Sequence, residues 1–194
     1  MVLTVGLSGD PLAIAAVLGI MIYAGAYISG GHFNPAVSLA IWRLGKLSGD
    51  ELTKYVSSQM LGGIVASILV SVFMAGSGTF LVAPAGTSLF LPFLAEALFT
   101  FALVWVVLNV AVPKQVVGNQ YYGLAIGGIV LVGALSVGAL SGGAFNPAVG
   151  VSPALVDIAN LADNFGLIVL YITAPLIGGM IASELFAYIS QMKE

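Results

Sequence analysis

The chain has 194 residues, of which 60% are hydrophobic and 7% charged, and its mean hydropathy is +1.12. That apolar excess is more than a water-soluble globule of ordinary proportions can bury, so the solvent it implies is a bilayer. A net charge of −3 with no basic cluster gives no support to a nucleic-acid partner, and the absence of cysteine excludes disulfides and thiolate chemistry.

Taken in chain order, Met1 to Asp10 carries no basic n-region, so no cleavable signal peptide is expected. A first span is predicted from about Pro11 to Ile28, closed by the Gly30-Gly31 pair. The phrase "SGGHFNPAV" follows from Ser29, and then a short apolar segment from Pro35 to Leu44. The second span runs from about Glu51 to Met74 and is stopped by "AGSGT". A third starts near Pro92, a residue tolerated in a first helical turn, and ends before Pro113. The fourth covers about Tyr121 to Leu140, after which Ser141 opens "SGGAFNPAV", identical to the earlier phrase at eight of nine positions and displaced from it by 112 residues. The last span runs from about Phe165 to Gln191. Each of the five spans is long enough to cross, since about 20 apolar residues suffice.

The ten residues from Pro35 to Leu44 reach only about 15 Å as a helix, half of the roughly 30 Å hydrocarbon core. The segments after the two phrases are therefore read as half-helices that enter the membrane and leave on the same side. Their irregular backbone must be buried in protein or line water, because lipid satisfies no free N–H or C=O group. Gly30, Gly31, Gly142 and Gly143 permit the backbone angles that such a path needs.

Within each phrase, Asn-Pro-Ala reads as a helix start. Asparagine is a strong N-cap whose oxygen accepts from the first turn, and proline fits the first helical position. The amide NH₂ remains as a donor ahead of the positive end of the helix dipole. Two half-helices meeting tip to tip would set Asn34 and Asn146 side by side, so that a passing oxygen accepts from both and the donor-to-acceptor chain used by hopping protons is broken. The plainer alternative is a pair of ordinary caps in a transporter or scaffold.

Two copies of "SGG-x-FNPAV" on re-entrant half-helices resemble the aquaporin (major intrinsic protein) family, and the likeness covers nearly the whole chain. A second echo, "LGGIVAS" from Leu61 and "IGGMIAS" from Ile177, points to the same duplication. The resemblance implies an all-α membrane protein, an inverted repeat with five full transmembrane helices and two re-entrant half-helices. It forms one channel domain over 1–194, with a partial first repeat at about 1–76 and a second at about 90–194. Sliding the third span back by the repeat offset puts its partner before Met1, so the first helix of the family is expected to be missing, through truncation or because the chain works without it. In family members that helix carries a glutamate bracing a re-entrant loop. Its counterpart is Glu96, expected to hold the backbone N–H groups of the second loop; the alternative is an interfacial carboxylate near the outer leaflet.

The resemblance further implies a pore built on Asn34, Pro35, Ala36, Asn146, Pro147 and Ala148, with backbone carbonyls of Gly30, Gly31, His32, Gly142, Gly143 and Ala144 replacing hydration in single file. Its selectivity filter maps onto Ile14, Ala134, Gly143 and Val149. Val149 stands where most of the family has arginine and Ala134 where a histidine is frequent, which implies a wide, apolar ring reminiscent of some plant vacuolar aquaporins. Gly150, in place of the aspartate of glycerol facilitators, and Tyr171 followed by Ile172 give mixed signals on solute class. The expected function is a passive channel for water and small neutral solutes such as glycerol, urea or ammonia, excluding protons and ions, without cofactor or metal. It would sit as a homotetramer in the lipid bilayer of the cell membrane. Arg43, Lys46, Lys54, Lys114 and Lys193 fall on one predicted face, which the positive-inside rule makes cytoplasmic, with Asp10, Asp157 and Asp163 outside.

Other readings remain beside this one. His32, the only histidine, is a structural or pore-lining residue or a pH sensor, and has no company for metal binding. Phe33 and Phe145 wedge the loops by packing, and Gly62-Gly63 and Gly178-Gly179 permit close helix crossings. No nucleophile, base and orienting acid share a plausible spacing, so an enzyme is not expected. A secondary transporter would need a coupling acid, for which Glu96 is the one mid-chain candidate, and a non-conducting scaffold is the third possibility.

Overall fold

The computed structural model describes residues 1–75 and 88–191, all helical or irregular, with no strand among them. Most of "AGSGT", and Lys193, lie outside the described residues. Five helices have the length and apolarity of a membrane span: α2 (Pro11–Ser29), α4 (Gly49–Phe73), α5 (Phe90–Ala111), α6 (Tyr122–Ser141) and α8 (Phe165–Gln191). Between them sit α3 (Pro35–Arg43) and α7 (Pro147–Val156), nine and ten residues long. The order long, short, long thus occurs twice, as α2–α3–α4 and α6–α7–α8. The five crossings and two half-helices expected from the sequence are the architecture found.

Local chemistry explains the boundaries. α2 begins at the Asp10 cap, whose carboxylate accepts from Ala13 N at 2.8 Å, followed by Pro11 at the first helical position. Ser48 and Glu51 form a capping box at the start of α4, with both reciprocal bonds present. α2 and α6 both end on a glycine in the left-handed region, Gly30 at φ 71° and Gly142 at φ 84°, which turns each chain back toward the membrane interior.

One element was not anticipated. A two-turn helix, α1 (Val2–Ser8), precedes α2 and packs along α4 as α5 packs along α8. Gly6 presses so closely on Val70 of α4 that a Cβ would overlap the valine side chain. α1 therefore lies against α4 as α5 lies against α8, nearer to α2 than the repeat offset places it, while a full-length first span is missing among the described residues, as expected. The reason is loop length. Gly9 and Asp10 alone join α1 to α2, whereas residues 112–121 separate α5 from α6, so a constant offset carries the counterpart of α5 too far back. Seven residues are also too few for apolar periodicity to declare a helix.

Small residues set the helix spacing. At the α2–α6 crossing, a Cβ on Gly19 would stand 2.9 Å from the Gly123 carbonyl, and one on Gly127 2.6 Å from the Ala15 carbonyl. Gly63 of α4 abuts the Ala148 carbonyl of α7, and Gly179 of α8 abuts the Ala36 carbonyl of α3, so the same position in each half seats the half-helix of the other. Their neighbours differ. Gly178 bears directly on the Ala97 carbonyl of α5, while Gly62 faces a lateral groove and would meet nothing within 4 Å. Backbone contacts this close are what small residues contribute where lipid supplies no hydrophobic drive between helices.

Gly178→Val therefore forces α5 and α8 apart and is expected to destabilise by about 3 kcal/mol or more, at or beyond the upper end of ordinary overpacking. Gly62→Val should change stability by less than about 1 kcal/mol, the scale of helix propensity alone. Thermal unfolding of the two variants in detergent checks the contrast; equal melting points would contradict it.

Candidate pore at the meeting of two half-helices

α3 and α7 meet at their N-termini, and the contact is made by the asparagine caps. Asn34 Oδ1 accepts from Ala36 N at 2.9 Å and Asn146 Oδ1 from Ala148 N at 3.0 Å. Because each oxygen is fixed by a backbone donor, the amide orientation is determined. Each NH₂ then crosses to the opposite loop: Asn34 Nδ2 donates to the Phe145 carbonyl at 2.8 Å, and Asn146 Nδ2 to the Phe33 carbonyl at 2.9 Å. This reciprocal clasp was not anticipated. It occupies one N–H of each amide and leaves one, where the sequence reading left two.

The clasp needs an unusual backbone. Phe33 and Phe145 lie at φ 46° and φ 48°, left-handed values that cost a non-glycine residue on the order of 1–3 kcal/mol. Gly31 and Gly143, at φ 65° and φ 66°, adopt the same region without that cost. The turn delivers the carbonyl just before each asparagine to the partner amide, so the strain sits where the two loops interlock. Phe145 is buried, and its ring packs on Phe99 at 5.5 Å between centroids.

Polar side chains hold the second loop. Glu96, 0% exposed on α5, accepts from Ser141 Oγ at 2.8 Å and Ala144 N at 3.0 Å through Oε1, and from Phe145 N at 2.6 Å through Oε2. Gly143 N donates to Ser141 Oγ at 3.2 Å. Tyr171 of α8 donates its hydroxyl to the Ser141 carbonyl at 2.5 Å. In the first loop Tyr55 of α4 donates to the Ser29 carbonyl at 2.6 Å, the same bond to the first residue of the repeated phrase. Tyr55 and Tyr171 are 116 positions apart, as are Gly63 and Gly179. The "LGGIVAS" echo, extended six residues upstream, carried that signal.

Two vestibules flank the clasp. The inner one, about 480 Å³, is lined by Gly30, Gly31, His32, Asn34 and Asn146 together with apolar side chains of α2, α5 and α6. An outer one, about 320 Å³, brings together Ile14, Ala134, Gly143 and Val149, with Gly142 beside them and no charged side chain on its wall among the described residues. Val149 N donates to the Asn146 carbonyl at 3.0 Å, one turn outward. Ala144 is buried and lines neither space, unlike the other residues proposed for their carbonyls. Pro35, Ala36 and Pro147 are buried packing residues of the first helical turns, and Ala148 borders the lateral groove between α2 and α4. Gly150 has no room for a side chain, because the Tyr171 ring covers its Cα. Among the described residues no cluster of potential metal ligands occurs.

Removing the Glu96 carboxylate leaves the Ala144 and Phe145 N–H groups without their acceptor and the Ser141 hydroxyl with only the longer contact to the Val137 carbonyl at 3.4 Å. Buried donors left unpaired cost about 1–3 kcal/mol each. Glu96→Ala is thus expected to lower stability by several kcal/mol, and Glu96→Gln by less, since it keeps one acceptor oxygen while turning a donor toward Phe145 N. Chemical unfolding in mixed micelles should give that order; an alanine variant as stable as the wild type would show that the bonds carry no weight.

Comparison with known proteins gives the family and the fold. The profile of the family described as major intrinsic protein matches residues 3–186. The chain is 30% identical to a probable aquaporin of Archaeoglobus fulgidus, over 93% of its own length and 75% of the relative's. It is 34% identical to a glycerol uptake facilitator-like protein of Lactiplantibacillus plantarum, over 90% and 83%. The solved structure of the aquaglyceroporin from Plasmodium falciparum superposes with a TM-score of 0.78 at 25% identity, covering 93% of this chain and 83% of that one. The chain is an integral, multi-pass member of the major intrinsic protein family, whose proteins are channels for water and small solutes and not enzymes.

Proposed function

We propose that the chain conducts water together with small uncharged solutes such as glycerol, urea and ammonia, and excludes ions and protons. The observation that carries the solute range is the outer vestibule. Ile14, Ala134, Gly143 and Val149 surround it with apolar side chains and backbone. A ring without a fixed cation neither narrows around an arginine nor repels by charge, so neutral solutes larger than water pass. Its relatives, a probable aquaporin and a glycerol uptake facilitator-like protein, bear names that span the same solute classes.

Charge exclusion rests on the clasp. Each asparagine retains one N–H, backed by the positive end of its half-helix. An oxygen between them accepts from both amides and cannot pass a proton along the file, and the same field repels cations. Solute O–H and N–H groups exchange their water shell for the carbonyls of Gly30, Gly31 and His32 on one side and of Gly142 and Gly143 on the other. Ala144 is omitted from this set, since it lies off both vestibules. Glu96 acts by bracing the second loop.

The chain is proposed to work in the cell membrane as a homotetramer with a pore in each subunit, Arg43, Lys46, Lys54 and Lys114 facing the cytoplasm. Its two halves are proposed to be inverted repeats, the first including α1. Reconstituted into liposomes, the wild type should shrink and then reswell in glycerol or urea gradients. Val149→Arg should cut solute flux at least about tenfold, the effect of about 1.4 kcal/mol on the barrier at a filter, while water flux persists. Absence of glycerol and urea flux in the wild type would overturn the wide-filter reading; absence of any water flux would leave a non-conducting membrane scaffold in its place.

A further inference from the structure

The two halves diverge together at three positions that touch one another. His32, Ser38 and Gln59 of the first half correspond to Ala144, Gly150 and Pro175 of the second, none of which has a hydrogen-bonding side chain. In the first half the three are joined: Gln59 Nε2 lies 3.0 Å from Ser38 Oγ, and Ser38 Oγ lies 3.2 Å from His32 Nδ1. Ser38 is fully buried, and its hydroxyl has no other partner among the described residues. The His32 ring is stacked on Tyr55 at 4.7 Å between centroids, and Tyr55 is itself tied to the Ser29 carbonyl. His32 borders both the inner vestibule, with Asn34 and Asn146, and the lateral groove between α2 and α4, and its Nε2 has no protein partner among the described residues.

The direction of this chain of bonds follows from donor bookkeeping. With the Gln59 amide donating to Ser38, the single serine hydrogen has one acceptor in reach, Nδ1, and the ring proton must then sit on Nε2. Turning the amide over would let Nδ1–H donate to Ser38 and Ser38 to Gln59 Oε1, but both amide N–H groups would lose their partner. The direction adopted leaves one N–H and the buried Oε1 unpaired instead, and an under-satisfied carbonyl is the commoner and cheaper defect.

We infer that Gln59 and Ser38 are positioning residues that hold His32 in the Nε2–H tautomer, so that the imidazole presents a hydrogen-bond donor to solute oxygens in the inner vestibule. The inference rests on the proposed pore. It adds a third side-chain donor beneath the two asparagine amides, in the first half only. Carbonyls of the same loop supply acceptors, and His32 supplies a donor beside them, which favours solutes that both accept and donate, such as water, glycerol and urea.

Because the chain has a single histidine, ¹⁵N-histidine labelling of the full chain in liposomes reports on this residue alone. At pH 8, well above the ordinary imidazole pKa of about 6.5, the wild type should show one tautomer, protonated at Nε2 and bare at Nδ1. Ser38→Ala should shift the Nδ1 resonance, because its donor is gone, and should bring in the Nδ1–H form; Ser38→Thr, which keeps the hydroxyl, should restore the wild-type spectrum. A wild type protonated at Nδ1, or a Ser38→Ala spectrum identical to the wild type, would overturn the assignment. Water flux measured in the same vesicles separates the two failures: conduction with the wrong tautomer removes the relay and keeps the pore, and the right tautomer without conduction does the reverse.

Discussion

Everything in the site depends on two amides that each reach across the midline of the protein. Asn34 and Asn146 cap their own half-helices with oxygen and bind the opposite loop with nitrogen, at 2.8 and 2.9 Å to carbonyls 111 and 113 residues away. One residue type does both jobs because a carboxamide has an acceptor and two donors in one plane. Aspartate would cap as well but could not donate, and serine could not span both contacts. The clasp fixes where the helix N-termini point, and therefore where the electrostatic barrier stands. Its cost is visible in the left-handed backbone of Phe33 and Phe145.

Around this symmetric centre the two halves are supported differently. In the second loop a buried carboxylate takes the backbone donors of Ala144 and Phe145, and the Tyr171 ring closes over Gly150. In the first loop the tyrosine bond is retained, but the side chains beside it are His32, Ser38 and Gln59. The structure thus pairs a rigidly braced outer loop with an inner loop carrying polar chemistry. Among the described residues the outer vestibule beside the braced loop has no charged side chain on its wall, and the inner one carries the asparagines and the histidine.

Much of this was legible in the sequence, for identifiable reasons. Uncharged runs bounded by glycine and proline fixed the five spans, and the short reach from Pro35 to Leu44 marked a half-helix because length alone forbids a crossing. Asn before Pro located both caps. What escaped had no local signature. α1 is too short for periodicity and is displaced by an unequal loop. The crossing of each amide to the opposite loop depends on a φ value that phenylalanine rarely adopts, so no propensity suggests it. Ser141 stands in the sequence only as the first residue of the repeated phrase, and the bonds of its hydroxyl to Glu96 and of its carbonyl to Tyr171 exist only once the fold brings α5 and α8 to it.

The most direct test of the clasp as a water-passing, proton-blocking junction is to follow volume and internal pH together in the same proteoliposomes under an osmotic and a proton gradient. The expected result is water flux well above that of protein-free vesicles, with internal pH drifting no faster than in those vesicles. Proton entry that rises with the amount of protein would contradict the arrangement of donors described here.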